Sequence, residues 1–416
     1  MELRSNPSFV RLFVGRVVTN AGDSLYAIAA MWLVYDLTGS TFYTGVASFL
    51  TLGPQALQFL AGPLVDRWSL RRVLVSTQAV QAVGVLAVPV AAATGHLSVW
   101  VVLFVMPVLS MVSQFDSPAM NAALPHVVED DQLVKANSLF STAGQSLDTV
   151  FNALSGALVA VVGAVTIYLI DAVTFVVALV LFLGLAIESG DRTSEAETDD
   201  ASPDAPVGDY FDQLREGFDY LRGSAVASIV LGAVVVNFTF GVMMAVLPAF
   251  AEALGGPETY GLLMASVAAG NLAGSAGSSL VEEYPFGLLS VASFTVSTVC
   301  LLGAVSVPGV PATVVGFFGA FVPAGAFNVI FFSMLQSAVD DAMLARVTSV
   351  VSSGSTAMMP VGSLLGGTMA GALGVSFALY GTVASMGFLV VYFLVRPGIR
   401  LLPPVADADE RVLGLG

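Results

Sequence analysis

The sequence predicts an all-α membrane protein with twelve transmembrane helices in two pseudo-symmetric six-helix bundles. Three observations lead there. The chain of 416 residues is 56% hydrophobic and only 11% charged, where soluble domains carry about 25% charged residues. Its apolar stretches supply twelve windows of the roughly 20 residues needed to cross a bilayer. All fourteen Lys and Arg residues can be placed on one side of the membrane. That is the positive-inside pattern of a multi-pass protein of the cell membrane with both termini cytoplasmic.

The expected spans are 11–36, 43–65, 70–94, 97–118, 132–160, 164–187, 225–250, 258–281, 285–306, 311–336, 345–372 and 375–396. Near 163 and 373, neighbouring spans are separated mainly by glycine and a change of direction. The opening Met1 to Pro7 lacks the short apolar core and cleavage site of a signal peptide, so the first span is expected to serve as its own insertion signal. The organisation read from this pattern is an N-terminal bundle over 1–187, a linker over 188–224, a C-terminal bundle over 225–396 and a cytoplasmic tail over 397–416. The linker through Pro206 is rich in Asp, Glu, Ser, Thr and Pro, which predicts flexibility. From Tyr210 to Leu221 aromatics and leucines recur at helical spacing, which predicts an amphipathic helix along the cytoplasmic face.

Composition also narrows the chemistry. Cys300 is the sole cysteine, so no internal disulfide is expected. His96 and His126 lie near span ends, where surface or capping roles fit better than metal ligation. There is no phosphate-binding Gly-Lys-Ser/Thr loop, which weighs against ATP-driven transport by this chain. No enzyme, cofactor or metal is expected. The partners expected are a small-molecule substrate, a proton or sodium ion and the lipid bilayer, with no nucleic acid and a monomeric state. The net charge of −16 comes from acids such as Glu129, Asp130, Asp131, Glu282 and Glu283. Aspartate and glutamate do little to set topology, and such acid-rich, lysine-poor surfaces resemble those of proteins from salt-accumulating halophiles.

The two halves repeat. Gly45, Leu64 and Asp66 recur as Gly261, Leu280 and Glu282 at an offset of 216, and Lys135 and Gly156 recur as Arg346 and Gly367 at an offset of 211. At the second offset a stripe of Ser138, Ser141, Gln145, Asp148, Asn152 and Ser155 matches Ser349, Ser352, Thr356, Met359, Ser363 and Gly366. The 3-4-3-4-3 spacing keeps each set on one helix face. Repeated halves with polar faces at mid-membrane suit a carrier built for alternating access.

The first cytoplasmic hairpin, Gly62-Pro63-Leu64-Val65-Asp66-Arg67-Trp68-Ser69-Leu70-Arg71-Arg72, resembles the loop signature of the major facilitator superfamily, with Ser69 replacing its second glycine. Gly22-Asp23, Trp32 to Ser40, Leu124-Pro125-His126-Val127, Leu133 to Leu139, Leu247-Pro248 and Tyr260 to Leu263 are similar to its macrolide-efflux and enterobactin-exporter-like branch. The resemblance implies that spans 1, 4, 7 and 10 line a central cavity, and that the hairpin charges form a latch on the cytoplasmic face. Asp66, Arg67, Arg71, Arg72 and Asp116, with Arg346 in the second half, are the expected gate residues. Asp116 is the expected partner of Arg71 or Arg72; the alternative is that these arginines only set topology. Departures from the family are the absence of an intramembrane arginine in span 4, and Phe151-Asn152 where its antiporters carry Gly-Pro.

For the substrate site, span 1 offers Asn20, Asp23 and Tyr26, span 7 offers Asn237, Phe238, Phe240, Met243 and Met244, and span 10 offers Phe327, Asn328, Phe331, Phe332, Met334 and Gln336. Of those in spans 7 and 10, Asn237, Phe240, Met244, Asn328 and Phe331 are the expected site residues. Aromatic and methionine surfaces take apolar ligands adaptably while a few amides fix orientation; the alternative for any single Phe or Met is packing. Asp23, Asp148 and Asp171 lie within spans. A charge at the bilayer centre costs about 2.5–3.5 kcal/mol on insertion scales, so each should face protein or water. Asp23 and Asp148 are the expected ion-coupling residues, whereas Asp171 is open between a coupling and a structural role. The function expected is export of small amphipathic or apolar compounds by alternating access, with proton antiport favoured and sodium possible. The alternatives are a metabolite importer or facilitator of the same fold, and a non-transporting membrane receptor.

Overall fold

Asn6 starts the first membrane helix by a conventional N-cap: its Oδ1 accepts from the backbone N–H of Ser8 and Phe9 at 3.0 and 3.1 Å. Pro7 follows at the first helical position, where a missing N–H costs nothing. From there the computed structural model describes residues 3–55, 65, 68–185, 215–408 and 410–414. The main helices are α1 (Pro7–Thr38), α2 (Thr41–Leu52), α3 (Leu70–Ala93), α4 (Val99–Ser113), α5 (Asp116–Ala123), α6 (Leu133–Val162) and α7 (Ala164–Leu183). They continue as α8 (Ala225–Leu254), α9 (Pro257–Ala276), α10 (Phe286–Ser306), α11 (Val310–Ala338), α12 (Asp341–Thr356), α13 (Met358–Leu373) and α14 (Val375–Val395).

Eight helices among the described residues are long and apolar enough to cross a membrane. The other expected intervals carry α2, α6, α9 and the α12–α13 pair, which are shorter or richer in polar residues. Gly163 and Gly374, 211 residues apart, join α6 to α7 and α13 to α14 with φ of 82° and 94°. Only glycine takes that conformation cheaply, so the repeat offset extends to the turns themselves. The eleventh expected span is broken at Ala357, three residues before Pro360. Proline removes one helical donor and crowds the preceding turn.

The chain divides into two compact units, Met1–Leu37 with Leu50–Tyr210, and Thr38–Phe49 with Phe211–Gly416. In the first, Phe9, Leu12, Val73, Leu74, Ala119 and Phe182 belong to one buried cluster. Arg11 and Arg71 donate to the carbonyls of Gly184 and Leu183. They thereby satisfy acceptors that the end of α7 leaves open.

In the second unit, Phe286, Phe294, Phe331, Met334, Leu389 and Phe393 anchor the core. Small residues let its helices close on one another: a Cβ at Gly241 would strike Met359 O, and one at Gly274 would strike Val322 O. The Thr38–Phe49 segment packs within this unit, with Thr41 Oγ1 donating to Gly367 O at 3.0 Å and Thr44 Oγ1 to Ala245 O at 2.6 Å. Residues 215–221 are helical, and Gly217 lies against the backbone of Arg346. Residues 186–214, which hold the acidic part of the linker and the start of the expected amphipathic helix, lie outside the described residues.

The segment after Arg396 is folded onto the second unit. Phe286 N and Gly287 N donate to Pro403 O and Leu402 O at 3.1 and 3.3 Å. The tail therefore supplies acceptors to the open N–H groups at the start of α10. Ile399, Leu402 and Leu413 are buried.

Candidate functional site

Within the second unit, α8, α9, α10, α11, α12 and α14 line a cavity of about 410 Å³. Its apolar wall includes Phe240, Met243, Phe294, Phe327, Phe331 and Met386. Phe240 meets Phe321 edge-on at 6.0 Å, and Phe327 stacks with Phe331 at 6.1 Å. Asn237, Asn271, Asn328, Ser293, Ser352 and Thr356 supply polar groups. Asn237 Nδ2 donates to Ala233 O at 3.0 Å, which holds the amide along its own helix. A mostly apolar, aromatic cavity with a few amides and hydroxyls can enclose a small amphipathic molecule and orient its polar end.

Of the residues expected from sequence, Asn237, Phe240, Asn328 and Phe331 meet in this cavity. Met244 is not on its wall; its neighbour Met243 is. One residue along a helix is a rotation of about 100°, so the packing of α8 decides between them.

The first unit carries a smaller pocket of about 200 Å³, lined by Arg16, Asn20, Asn121, Asn137 and Ser141 among others. Asn20 is the expected member. Arg16, one of the fourteen basic residues and not among the expected site residues, lies on this wall and within electrostatic reach of Asp116. Ser141 and Ser352, partners in the repeat, thus line one pocket in each unit.

Asp116 is buried at 5% exposure and accepts from Gln81 Nε2 at 3.1 Å and Gln78 Nε2 at 3.4 Å. The expected pairing with Arg71 is not formed, since Arg71 donates to Leu183 O. Arg71 is held at the end of α7, and among the described residues Arg16 is a cation whose charge reaches Asp116. The physical reason is that the last carbonyls of α7 need donors, and Arg71 is placed to supply one. Asp66 and Arg67 lie outside the described residues, as does the side chain of Asp148 together with those of Gln145 and Asn152. Arg346 pairs with Glu216 at 3.2 Å.

Asp23 and Tyr26 lie on neither pocket wall. Tyr26 is buried, edge-on to Tyr168 of α7 with ring centroids 5.2 Å apart. Asp171 sits one turn further along α7, fully buried.

Residues 3–411 match the family of transmembrane secretion effectors. The chain belongs to this family. It is similar to the MFS-type transporter YvqJ of Bacillus subtilis, 26% identical over 413 residues, covering 97% of this chain and 94% of that one. It is also similar to macrolide efflux protein A of Streptococcus pyogenes, 25% identical over 396 residues, covering 90% of this chain and 93% of that one. Its fold is that of a bacterial homologue of the iron transporter ferroportin in the inward-facing state, with a TM-score of 0.70 at 17% identity over 95% of this chain and 99% of that one. This secretion effector is accordingly a multi-pass membrane transporter of the major facilitator type, with efflux proteins among its relatives.

Several wall residues of the transporter carry little sequence signal. Ser297 lies on the cavity wall but donates to Ala320 O at 2.7 Å. A hydroxyl that bonds a neighbouring backbone looks the same in sequence as one offered to a ligand. Asn271 could have been found by the rule applied to Asn237, that an amide within an apolar stretch needs a partner.

Proposed function

We propose that this transporter exports small amphipathic or apolar compounds, and that the cavity of the second unit binds their apolar part. The observation that carries the reading is its wall, where Phe240, Met243, Phe327 and Phe331 line a space of about 410 Å³ together with Asn237 and Asn328. Similarity to macrolide efflux protein A supports the direction of transport. Coupling to a proton gradient, with sodium as the rival ion, draws support from the carboxylates within spans, Asp23 and Asp148. Asp66, Arg67, Arg71, Arg72, Asp116 and Arg346 are the gate residues of this scheme. Asp116 acts there through Gln78, Gln81 and Arg16 rather than through Arg71. The Lys and Arg distribution favours the cell membrane with both termini cytoplasmic.

A second reading, movement of a polar or anionic metabolite, is favoured by the small pocket that joins Arg16 to Asn20, Asn121 and Asn137. Reconstitution in vesicles with an imposed proton or sodium gradient separates the two. Gradient-driven flux of hydrophobic dyes, reduced in Asn328→Leu, supports the first reading. Flux confined to small anions, lost in Arg16→Gln, replaces it with the second.

A further inference from the structure

Among the described residues, the wall of the cavity in the second unit carries no Asp, Glu, Lys, Arg or His. Its polar side chains are hydroxyls and amides, among them Ser293, Ser355, Asn271 and Asn328. The charged residues of the six helices that supply the wall stand away from it. On α8, Glu252 lies about 14 Å of helix beyond Met243, the last wall residue of that helix. On α9, Glu258 is in the first turn, about 20 Å before Asn271. On α12, Asp341 begins the helix about 15 Å before Val351. Arg346 of the same helix is held toward its start, donating to Met343 Sδ at 3.4 Å and pairing with Glu216 at 3.2 Å. The helices α10, α11 and α14 contain no charged residue. Tyr260, Cys300, Tyr380 and Tyr392, the remaining titratable side chains of these helices, are not on the wall.

Several of the polar groups are already engaged by the protein. Thr239 Oγ1 donates to Val235 O, Ser297 Oγ to Ala320 O and Thr382 Oγ1 to Leu379 O, each at 2.7 Å. Ser355 differs. It is 7% exposed, and its Oγ has no hydrogen-bond partner among the described residues. An unpaired buried hydroxyl is costly, and a turn about its Cα–Cβ bond lets a ligand at the wall supply the partner.

Hydroxyls and amides of this kind complete one or two hydrogen bonds to a neutral polar group. They do not replace the hydration shell of an ion. Phenylalanine faces attract a cation, yet Phe327 is stacked on Phe331 and Phe240 is edge-on to Phe321. That attraction is also weaker than the cost of bringing a full charge into an apolar interior. We infer that the cavity selects the uncharged form of its ligand: a neutral amphipathic molecule, or the free-base form of a weakly basic one. Fixed cations and anions are excluded. This names the substrate class of the export reading above and rests on its placement of the ligand in this cavity.

Three dansyl sulfonamides of similar bulk test the inference: one with an uncharged alkyl arm, one with a tertiary-amine arm and one with a quaternary-ammonium arm. Each is titrated by fluorescence against the full chain in detergent, counting only binding that an excess of a non-fluorescent neutral sulfonamide displaces. The neutral member should bind independently of pH. The apparent Kd of the tertiary amine should fall about tenfold for each unit that the pH rises toward the amine's pKa. The quaternary member should bind more weakly than the neutral one by at least about tenfold. Asn328→Asp, which keeps the size and puts a carboxylate on the wall, should raise the affinity of the quaternary member relative to the neutral one. Asn237→Asp serves if that variant does not fold. Quaternary binding as tight as neutral binding, with both lost in Ala324→Phe, overturns the inference and leaves the export reading in place, since a countercharge from elsewhere then serves the cavity. A pH-independent Kd for the tertiary amine overturns it in the same way. Displaceable binding of the neutral member that persists in Ala324→Phe takes the ligand out of the cavity and overturns both.

Discussion

Gln81 donates to Asp116 across 3.1 Å, joining α3 to the first turn of α5 at a fully packed position of the first unit. Replacing Gln81 by Leu keeps the bulk and removes the donor. The carboxylate then loses a bond at a site where water does not replace it, a cost of about 1–3 kcal/mol. The expected outcome is a lower melting temperature in detergent for Gln81→Leu, with Gln81→Glu lower still because a second acid faces the first. Equal melting temperatures for Gln81→Leu and wild type would show that the bond contributes nothing.

At Gly241 the helix α8 lies against the backbone of α13. Gly241→Ala gains helix propensity of up to about 1 kcal/mol, yet its methyl meets Met359 O, which cannot rotate away. Overpacking of this kind costs about 1–3 kcal/mol, so the net effect is destabilising. Gly381→Ala, with nothing within 4 Å of the new methyl, should instead be neutral or mildly stabilising. Thermal unfolding of the two variants side by side tests the difference in sign.

In the cavity of the second unit, Asn328→Leu should weaken binding of an amphipathic ligand by about 0.5–1.5 kcal/mol, up to roughly tenfold in Kd. Ala324→Phe should block the same ligand by filling space at the wall that Ala324 shares with Phe327. Equilibrium binding of a fluorescent hydrophobic dye to purified variants measures both. Unaltered affinity in Ala324→Phe would place the ligand elsewhere.

Arg346 and Glu216 pair at 3.2 Å with 39% and 58% of their side chains exposed. Solvent and salt screen such a pair to about 0–1 kcal/mol. Glu216→Gln should therefore leave the melting temperature nearly unchanged, while a gate role for Arg346 predicts a changed transport rate. A large loss of stability in Glu216→Gln would contradict the screening argument.

Truncation after Arg396 removes the acceptors of Phe286 N and Gly287 N and the buried side chains of Ile399, Leu402 and Leu413. Each such side chain contributes about 1.5–3 kcal/mol when buried. The truncated chain is expected to lose most of its folded yield, seen as a lower monodisperse peak in size-exclusion chromatography. Restoring residues 397–404 should recover part of it through the two backbone bonds.

The amides of the site show how far sequence reasoning reaches. Asn237 and Asn328 stand out because an amide in an apolar stretch needs a partner, and they do share a wall. Ser297 does not stand out, because its hydroxyl bond to Ala320 O leaves no mark in a sequence. Arg16 does not stand out among the fourteen basic residues, since a cation near a span end satisfies the topology rule whether or not it also faces a pocket.

What the sequence determined by itself was the helical class, the intervals of the eight long apolar helices and the glycine joints at Gly163 and Gly374. These follow from local quantities: the apolar length that a bilayer demands and the backbone angles that only glycine takes cheaply. The tertiary structure alone decided which polar groups meet. It set Arg71 on the end of α7 rather than on Asp116, Met243 rather than Met244 on the cavity wall, and Asp171 over Gly22. Each of those outcomes turns on the rotation of one helix against another. Rotation is fixed by close contacts between residues far apart in the chain, and no window of sequence contains both partners.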